Sequence, residues 1–274
     1  MAKMALKSPA SPRPEALPAS AIVARLATGG PALVALSGGV DSSVVALLAH
    51  RALGSRAVAV TLTSPAVPAD ERESAGRVAR AIGIEHVLLE SDPLVDARYT
   101  ENPTNRCYFC RNHEGDRLRA WGAAHGVAVY LDGIQLDDLG EERPGLRAMN
   151  EHGFQHPLAD ARWTKADVRT FARAADLPTW DRPSNACLAS RIAHGELITA
   201  PLLDKVAQAE EWVSARGYRR VRVRVAGDRA RVEVDPDEVP ELQTEATLVR
   251  EALRGIGFSS VDIDPKGYHP RSNA

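Results

Sequence analysis

The sequence predicts an α/β protein: a parallel sheet covered by helices on both faces, followed by a smaller α+β domain. Short apolar runs of strand length alternate with helical stretches between residues 31 and 131, the pattern of strands joined by helical crossovers. The first runs are apolar throughout, as in strands buried on both faces. Beyond Gly195 the character changes to two alternating strands around a tight turn, flanked by helices.

In order, Pro31–Leu36 reads as a strand, Ser37–Ser43 as a glycine loop and Ser43–Leu53 as an amphipathic helix. Arg56–Leu62 is a second buried strand, Asp70–Ile82 a helix closed by Gly83, and His86–Glu90 a third strand. A helical stretch near Asn112–His125 leads to a fourth strand, Val127–Leu131. Thr164-Lys-Ala-Asp167 resembles a capping box and starts a helix to about Ala175, after which Pro178 and Pro183 mark an extended segment. A helix over Pro201–Arg216 ends at Gly217, and Val221–Val225 with Ala230–Val234 form a hairpin. A helix from about Asp237 to Leu253 and a strand at Ser260–Asp264 complete the smaller domain. The expected division is a disordered tail over 1–18, a main domain over 19–195 and a small domain over 196–274.

The composition, 44% hydrophobic and 26% charged over 274 residues, is that of a soluble globular protein. A net charge of −2 argues against a general nucleic-acid binder. No apolar run approaches the length of a membrane span. The first eighteen residues are rich in Ala, Pro and Ser and lack the apolar core of a secretory signal, so a cytoplasmic protein is expected.

Ser37-Gly-Gly-Val-Asp-Ser-Ser43 organises the rest of the chain. Gly38 and Gly39 allow a tight turn and a close backbone approach to a ligand. Asp41, Ser42 and Ser43 suit the first turn of a helix, whose unpaired N–H groups form an anion site. An ordinary Asp/Ser-capped turn would use the same residues, and the spacing is not that of a Walker A loop. The segment resembles the PP-loop of the ATP pyrophosphatase superfamily. That resemblance implies a Rossmann-like fold, cleavage of ATP between the α and β phosphates, and adenylation of a substrate oxygen.

The three cysteines are Cys107, Cys110 and Cys187. Cys107-Tyr-Phe-Cys110 is a C-x-x-C, open to use as a redox pair, as half of a zinc site or in an iron–sulfur site, or as unrelated thiols. Zinc would take His113 as a fourth ligand. Three thiolates on a [4Fe–4S] cluster would leave one iron open. Arg106, Arg111, Arg182 and Arg191 flank the cysteines, where they could lower thiol pKa values or bind an anion.

The surrounding segments resemble the LarE family. Asn102-Pro-Thr-Asn-Arg-Cys-Tyr-Phe-Cys110 is similar to its N-P-x-x-R-C-Y-x-C element, and Leu131-Asp-Gly-Ile-Gln-Leu-Asp-Asp138 to D-G-x-N-x-D-D. Arg143-Pro-Gly-Leu-Arg-Ala148 with His156-Pro-Leu158 corresponds to R-P-G-L-K/R-A and S-P-L. Arg182-Pro-Ser-Asn-Ala-Cys-Leu-Ala-Ser-Arg-Ile192 corresponds to K-P-S-x-A-C-L-A-S-R-I.

The resemblance implies an ATP-dependent, AMP- and pyrophosphate-forming sulfur transferase that uses Mg2+. Its substrate would be pyridinium-3,5-biscarboxylic acid mononucleotide, in biosynthesis of the nickel-pincer nucleotide of lactate racemase. Members with one cysteine at the Cys187 position sacrifice its sulfur, whereas members with all three hold a [4Fe–4S] cluster, so the cluster type is expected here. ATP binding falls to Ser37, Gly38, Gly39, Val40, Asp41, Ser42 and Ser43, with Asp41 as the magnesium partner. Thr61, Leu62 and Thr63 would border the adenine, and Gly133, Gln135 and Asp137 would continue the nucleotide site. Gln135 stands where the family carries Asn. Arg106, Ser190, Arg191, Arg222 and Arg224 are expected to bind the substrate, with Glu210, Glu211 and Glu233 as acidic candidates, each of which also reads as a solvated or ion-paired group. The family further implies a homo-oligomer, such as a hexamer. The sulfide donor is not specified.

Rival readings are other PP-loop enzymes and an ATP sensor that holds a metal or cluster. A tRNA thiolase would want a basic RNA surface, which the net charge of −2 does not supply. An amidotransferase-type synthetase would draw ammonia from a glutaminase unit absent from this sequence.

Overall fold

The computed structural model describes residues 16–140 and 144–269. Residues 1–15 of the expected tail and Arg143 lie outside the described residues. The tail boundary at residue 18 shifts inward, because Leu17 is tied down: its N–H donates to the Ala161 carbonyl at 3.0 Å and its carbonyl accepts the Trp163 indole at 2.6 Å.

The main sheet contains β1 (Ala32–Ala35), β2 (Ala57–Thr63), β3 (Glu85–Glu90) and β4 (Val129–Leu131) in the order β3-β2-β1-β4, all parallel. Helices α1 (Ala19–Ala27), α2 (Val40–Leu53) and α3 (Ala69–Ile82) precede β3, and α4 (Ala97–Thr100) and α5 (Arg106–Ala124) follow it. After β4 come α6 (Pro144–Glu151), α7 (Pro157–Asp160) and α8 (Lys165–Ala174). Successive strand residues face opposite sides of a sheet. Val34, Leu36, Ala59 and Leu131 therefore join a core with α1, α2, α3 and α8, while Leu33, Val60 and Tyr130 join Leu118, Met149 and Phe154 of the α5–α6 side.

The second sheet has the order β5 (Arg222–Ala226), β6 (Arg229–Glu233), β7 (Ser260–Ile263), with an antiparallel hairpin and a parallel third strand. It packs with α9 (Ala200–Ser214), α10 (Val239–Thr244) and α11 (Ala246–Ile256). Its core also takes in Ala66, Tyr99, Leu188, Ala189 and Ile192, so the two sheets share the segment that carries Cys187. No helix among the described residues is long and apolar enough to cross a membrane.

Two expected elements are corrected. The single helix expected over 237–253 is two, because Glu245 caps the end of α10 and the start of α11 with a backbone at φ −94°, ψ 6°. Helix α5 begins at Arg106 rather than near Asn112, started by a turn in which Arg106 N–H donates to the Pro103 carbonyl at 2.9 Å. The C-x-x-C therefore occupies the first helical turn, and Cys107 and Cys110 are three residues apart on one helix face.

Candidate active site

The glycine loop leaves β1 at its carboxyl end and enters α2, the edge where open α/β sheets take ligands. Gly38 sits at φ +84°, and a Cβ there would lie 2.3 Å from the Glu71 carbonyl oxygen of α3. Its own carbonyl accepts the Ser74 hydroxyl at 2.8 Å. Ser42 and Ser43 both donate to the Gly39 carbonyl, at 3.1 and 2.7 Å, and Ser42 Oγ accepts the Ser37 N–H at 3.2 Å. The hydroxyls thus shape the loop from inside, and the first N–H groups of α2 remain for an anion. Val40 is a core residue, so only its backbone reaches this site.

Asp41 is bonded to Lys165 at the start of α8, with Nζ 2.5 Å from Oδ2. Its other oxygen, Oδ1, is buried without a hydrogen-bond partner among the described residues. Burial raises the Asp41 pKa, and the Lys165 charge offsets this only in part. An orphaned carboxylate oxygen beside a phosphate loop suits a magnesium ion or one of its waters. Lys165 carries no signal in the sequence beyond its place in the capping box. That box forms, with the Thr164 side chain accepting from Asp167 N–H.

The segment after β4 closes the loop from the other side. A Cβ on Gly133 would lie 2.6 Å from the Ser42 nitrogen, so only glycine lets this strand end reach α2. Gln135 is turned into its own turn: Oε1 accepts the Asp137 N–H at 2.8 Å. Asp137 Oδ2 accepts the backbone N–H of Lys165 at 2.9 Å. Both residues therefore position Lys165. Thr61 corrects an expectation too, since its hydroxyl is buried, donating to the Leu36 carbonyl at 2.6 Å with His86 Nε2 at 2.8 Å. Leu62 packs in the α5–α6 side core, which leaves Thr63 at the strand end.

All three thiols are free, Cys107 exposed and Cys110 and Cys187 half-buried. They lie within electrostatic reach, for the Cys187 charge acts on both others. Loss of solvation raises the Cys107 thiol, then Cys187 raises it further, although Arg106 and Arg111 pull it down. Burial and Glu114, whose Oε1 is 3.5 Å from Sγ, push Cys110 well up. The flanking arginines thus fail to make these thiols acidic, because desolvation outweighs them. Among the described residues no group of three His, Cys, Asp or Glu is gathered as for a single metal ion, so the zinc site with His113 is not assembled. The donor set itself, three unpaired thiols on two facing segments, suits a larger thiolate-bound group.

The Cys187 turn is held by Arg191, which is 1% exposed. Its guanidinium bonds both Glu210 oxygens at 2.8 and 3.0 Å, the Ala186 and Cys187 carbonyls at 2.5 and 2.9 Å, Ser190 Oγ and Asn185 Oδ1. Arg191 and Glu210, expected at the substrate, are instead the framework of the turn. Arg106 is likewise buried, bonded to Asn102, which donates to the Ala193 carbonyl at 2.7 Å. Glu211 is exposed on α9, and Glu233 is fully buried between Arg224 at 3.1 Å and Arg231 at 3.5 Å. Arg222 and Arg224 both reach the turn, donating to the Ser184 carbonyl at 3.1 Å and the Ser190 carbonyl at 2.9 Å. Burial and the neighbouring Arg191 push Arg222 down to about 10, the signature of crowded positive charge.

Residues 15–102 match the family model described as asparagine synthase. An uncharacterized protein of Synechocystis sp. is 39% identical over 239 residues, covering 86% of this chain and 89% of that protein. The pyridinium-3,5-bisthiocarboxylic acid mononucleotide synthase of Lactiplantibacillus plantarum is 30% identical over 236 residues, 86% of each chain. The chain belongs to the LarE family. It is a PP-loop enzyme with the Rossmann-like sheet of that group. A glutamine-hydrolyzing GMP synthase of Methanocella arvoryzae is 43% identical over 164 residues, but these cover only 54% of this chain and 52% of that protein. The LarE relatives therefore extend across both the phosphate loop and the Cys187 turn.

Proposed function

We propose that this LarE-family enzyme is an ATP-dependent sulfur transferase acting on pyridinium-3,5-biscarboxylic acid mononucleotide, in the making of the nickel-pincer nucleotide. The observation that carries the reading is the meeting of Cys187 with two sites of opposite kind. On one side lies the phosphate loop, linked through α3, and on the other the arginine face of β5. A carboxylate is a poor electrophile, so sulfur transfer needs a leaving group. A substrate carboxylate oxygen attacks the α-phosphorus of ATP, the α–β phosphoanhydride bond breaks and pyrophosphate leaves. Hydrosulfide then adds to the acyl carbon, the C–O bond to AMP breaks, and a thiocarboxylate, AMP and a proton result.

The N–H groups opening α2 and Lys165 would bind the phosphates, and Asp41 Oδ1 would hold magnesium or its water. Arg222 and Arg224 would take the phosphate of the mononucleotide. Cys107, Cys110 and Cys187 would hold a [4Fe–4S] cluster, which supplies hydrosulfide at the iron without a protein ligand. Arg191 fixes the Cys187 backbone so that the sulfur faces the acyl carbon.

The test supplies the biscarboxylate mononucleotide, MgATP and sulfide, and follows pyrophosphate, AMP and product mass. Stoichiometric AMP, pyrophosphate and thiocarboxylate support the reading. Nucleotide cleavage to ADP, or none that depends on the mononucleotide, refutes it. Intact mass separates the sulfur sources, since a chain lighter by one hydrogen sulfide at Cys187 identifies sacrificial donation.

A further inference from the structure

Helix α3 touches both halves of the site through one residue. The backbone carbonyl of Glu71 packs beneath Gly38, 2.3 Å from where a Cβ would stand, and Ser74 one turn on bonds the Gly38 carbonyl at 2.8 Å. The side chain of Glu71 points the other way. It is 12% exposed, accepts Arg182 Nη2 at 3.0 Å and is hydrogen-bonded by the Asn185 side chain. Asn185 Oδ1 in turn accepts Arg191 Nη2 at 3.1 Å, and Arg191 Nη1 holds the Ala186 and Cys187 carbonyls. The segment before α3 adds a parallel tie, with Leu188 N–H donating to the Ala66 carbonyl at 2.8 Å.

We infer that Glu71 is a positioning residue that couples the nucleotide loop to the Cys187 turn, so that a bound nucleotide fixes the sulfur-bearing loop for the second half-reaction. The inference rests on the ATP reading above. A ligand on the α2 amides holds Gly38 and Ser37 in place, and Gly38 can shift only if the first turn of α3 shifts with it. Packed contacts and short hydrogen bonds carry such a displacement as one unit. The link runs through buried polar groups that lose their partners if it breaks. Asp70 serves as a control, since it bonds Arg182 at 2.8 Å but is 64% exposed and is not part of the path to Asn185.

The test measures nucleotide affinity and, by peptide mass, the rate at which Cys187 is alkylated in the metal-free full chain, with and without a non-hydrolysable ATP analogue. In the wild type the analogue slows Cys187 alkylation about five-fold or more, the scale of a typical coupling between sites. Glu71→Ala and Asn185→Ala, which cut the link from opposite sides, abolish that slowing while binding the analogue within about three-fold of wild type, and Asp70→Ala keeps it. Slowing that persists in either variant overturns the inference. A wild type that binds the analogue without any change at Cys187 overturns the coupling and leaves the ATP reading standing. A wild type that binds no nucleotide overturns that reading, and the coupling with it.

Discussion

Lys165 and Asp41, 124 positions apart in the chain, meet with Nζ 2.5 Å from Oδ2 at the mouth of the phosphate loop. Neither reaches this place by itself. Asp41 is carried by the first turn of α2, and Lys165 is aimed by Asp137, which accepts its backbone N–H. Two half-buried charges brought together beside an anion site form a cation position that can turn from the carboxylate to a phosphate when nucleotide arrives.

Lys165→Ala is therefore expected to lower mononucleotide-dependent pyrophosphate release by about 100-fold, as loss of one preorganised cation or donor does elsewhere. The fold should survive, because the Lys165 side chain is 31% exposed. Pyrophosphate release alongside thermal unfolding reads both effects, and release within a few-fold of wild type would remove Lys165 from the ATP site.

Gly38→Ala combines two penalties. The residue is at φ +84° and its Cβ would stand 2.3 Å from a backbone oxygen that no side-chain motion relieves. Left-handed backbone alone costs about 1–2 kcal/mol for a residue with a Cβ. Urea unfolding should show at least that loss, and calorimetric titration should show nucleotide binding abolished. The same substitution at Gly39, whose Cβ would meet only Ser37 Oγ at 3.5 Å, should be far milder.

Arg191→Ala leaves Glu210 in a half-buried place without its guanidinium and frees the Cys187 turn. Breaking a buried pair by removing one partner costs about 3–5 kcal/mol. Arg191→Lys should recover only a small part, because a lysine cannot serve the carboxylate, two carbonyls and an amide together. Denaturant unfolding of both variants checks the ranking.

His156 predicts a pH dependence of stability. Burial pulls its pKa down, but the 2.6 Å hydrogen bond to Asp132 and the attraction of Asp132 and Asp160 raise it above the ordinary 6.5. The folded state thus holds a proton that the unfolded chain releases first. The stabilisation is complete below pH 6.5 and is lost as pH rises through the folded pKa. His156→Gln should flatten this part of the stability–pH curve, measured by urea unfolding across the window.

Anaerobically purified protein should carry about four irons and matching acid-labile sulfide per chain. Cys107→Ala with Cys110→Ala should lose the iron and its visible absorbance while the fold is retained, since Cys107 is exposed. Full iron content in that double variant would assign the metal elsewhere.

The fold was legible because its signals are local. Apolar runs such as Ala57–Thr63, the glycine loop and the Thr164–Asp167 box each specify their own backbone. The phosphate loop and the cysteines could be named from order and spacing for the same reason. Charged side chains were harder to place. Arg106, Arg191 and Glu210 are polar residues at motif positions, yet they face inward and build the turn. Lys165 and Asn185 carry no signal of their own, because what matters is the partner they meet more than a hundred residues away for one and across a turn for the other.

Residue type and short-range spacing suffice for the alternating architecture, the anion-binding loop and the supply of three thiols. Which charges face a ligand and which face each other depends on how the elements pack. A guanidinium in water and one locked on Glu210 have the same letter in the chain. They are told apart by burial and by the partners that packing brings within 3 Å of Arg191.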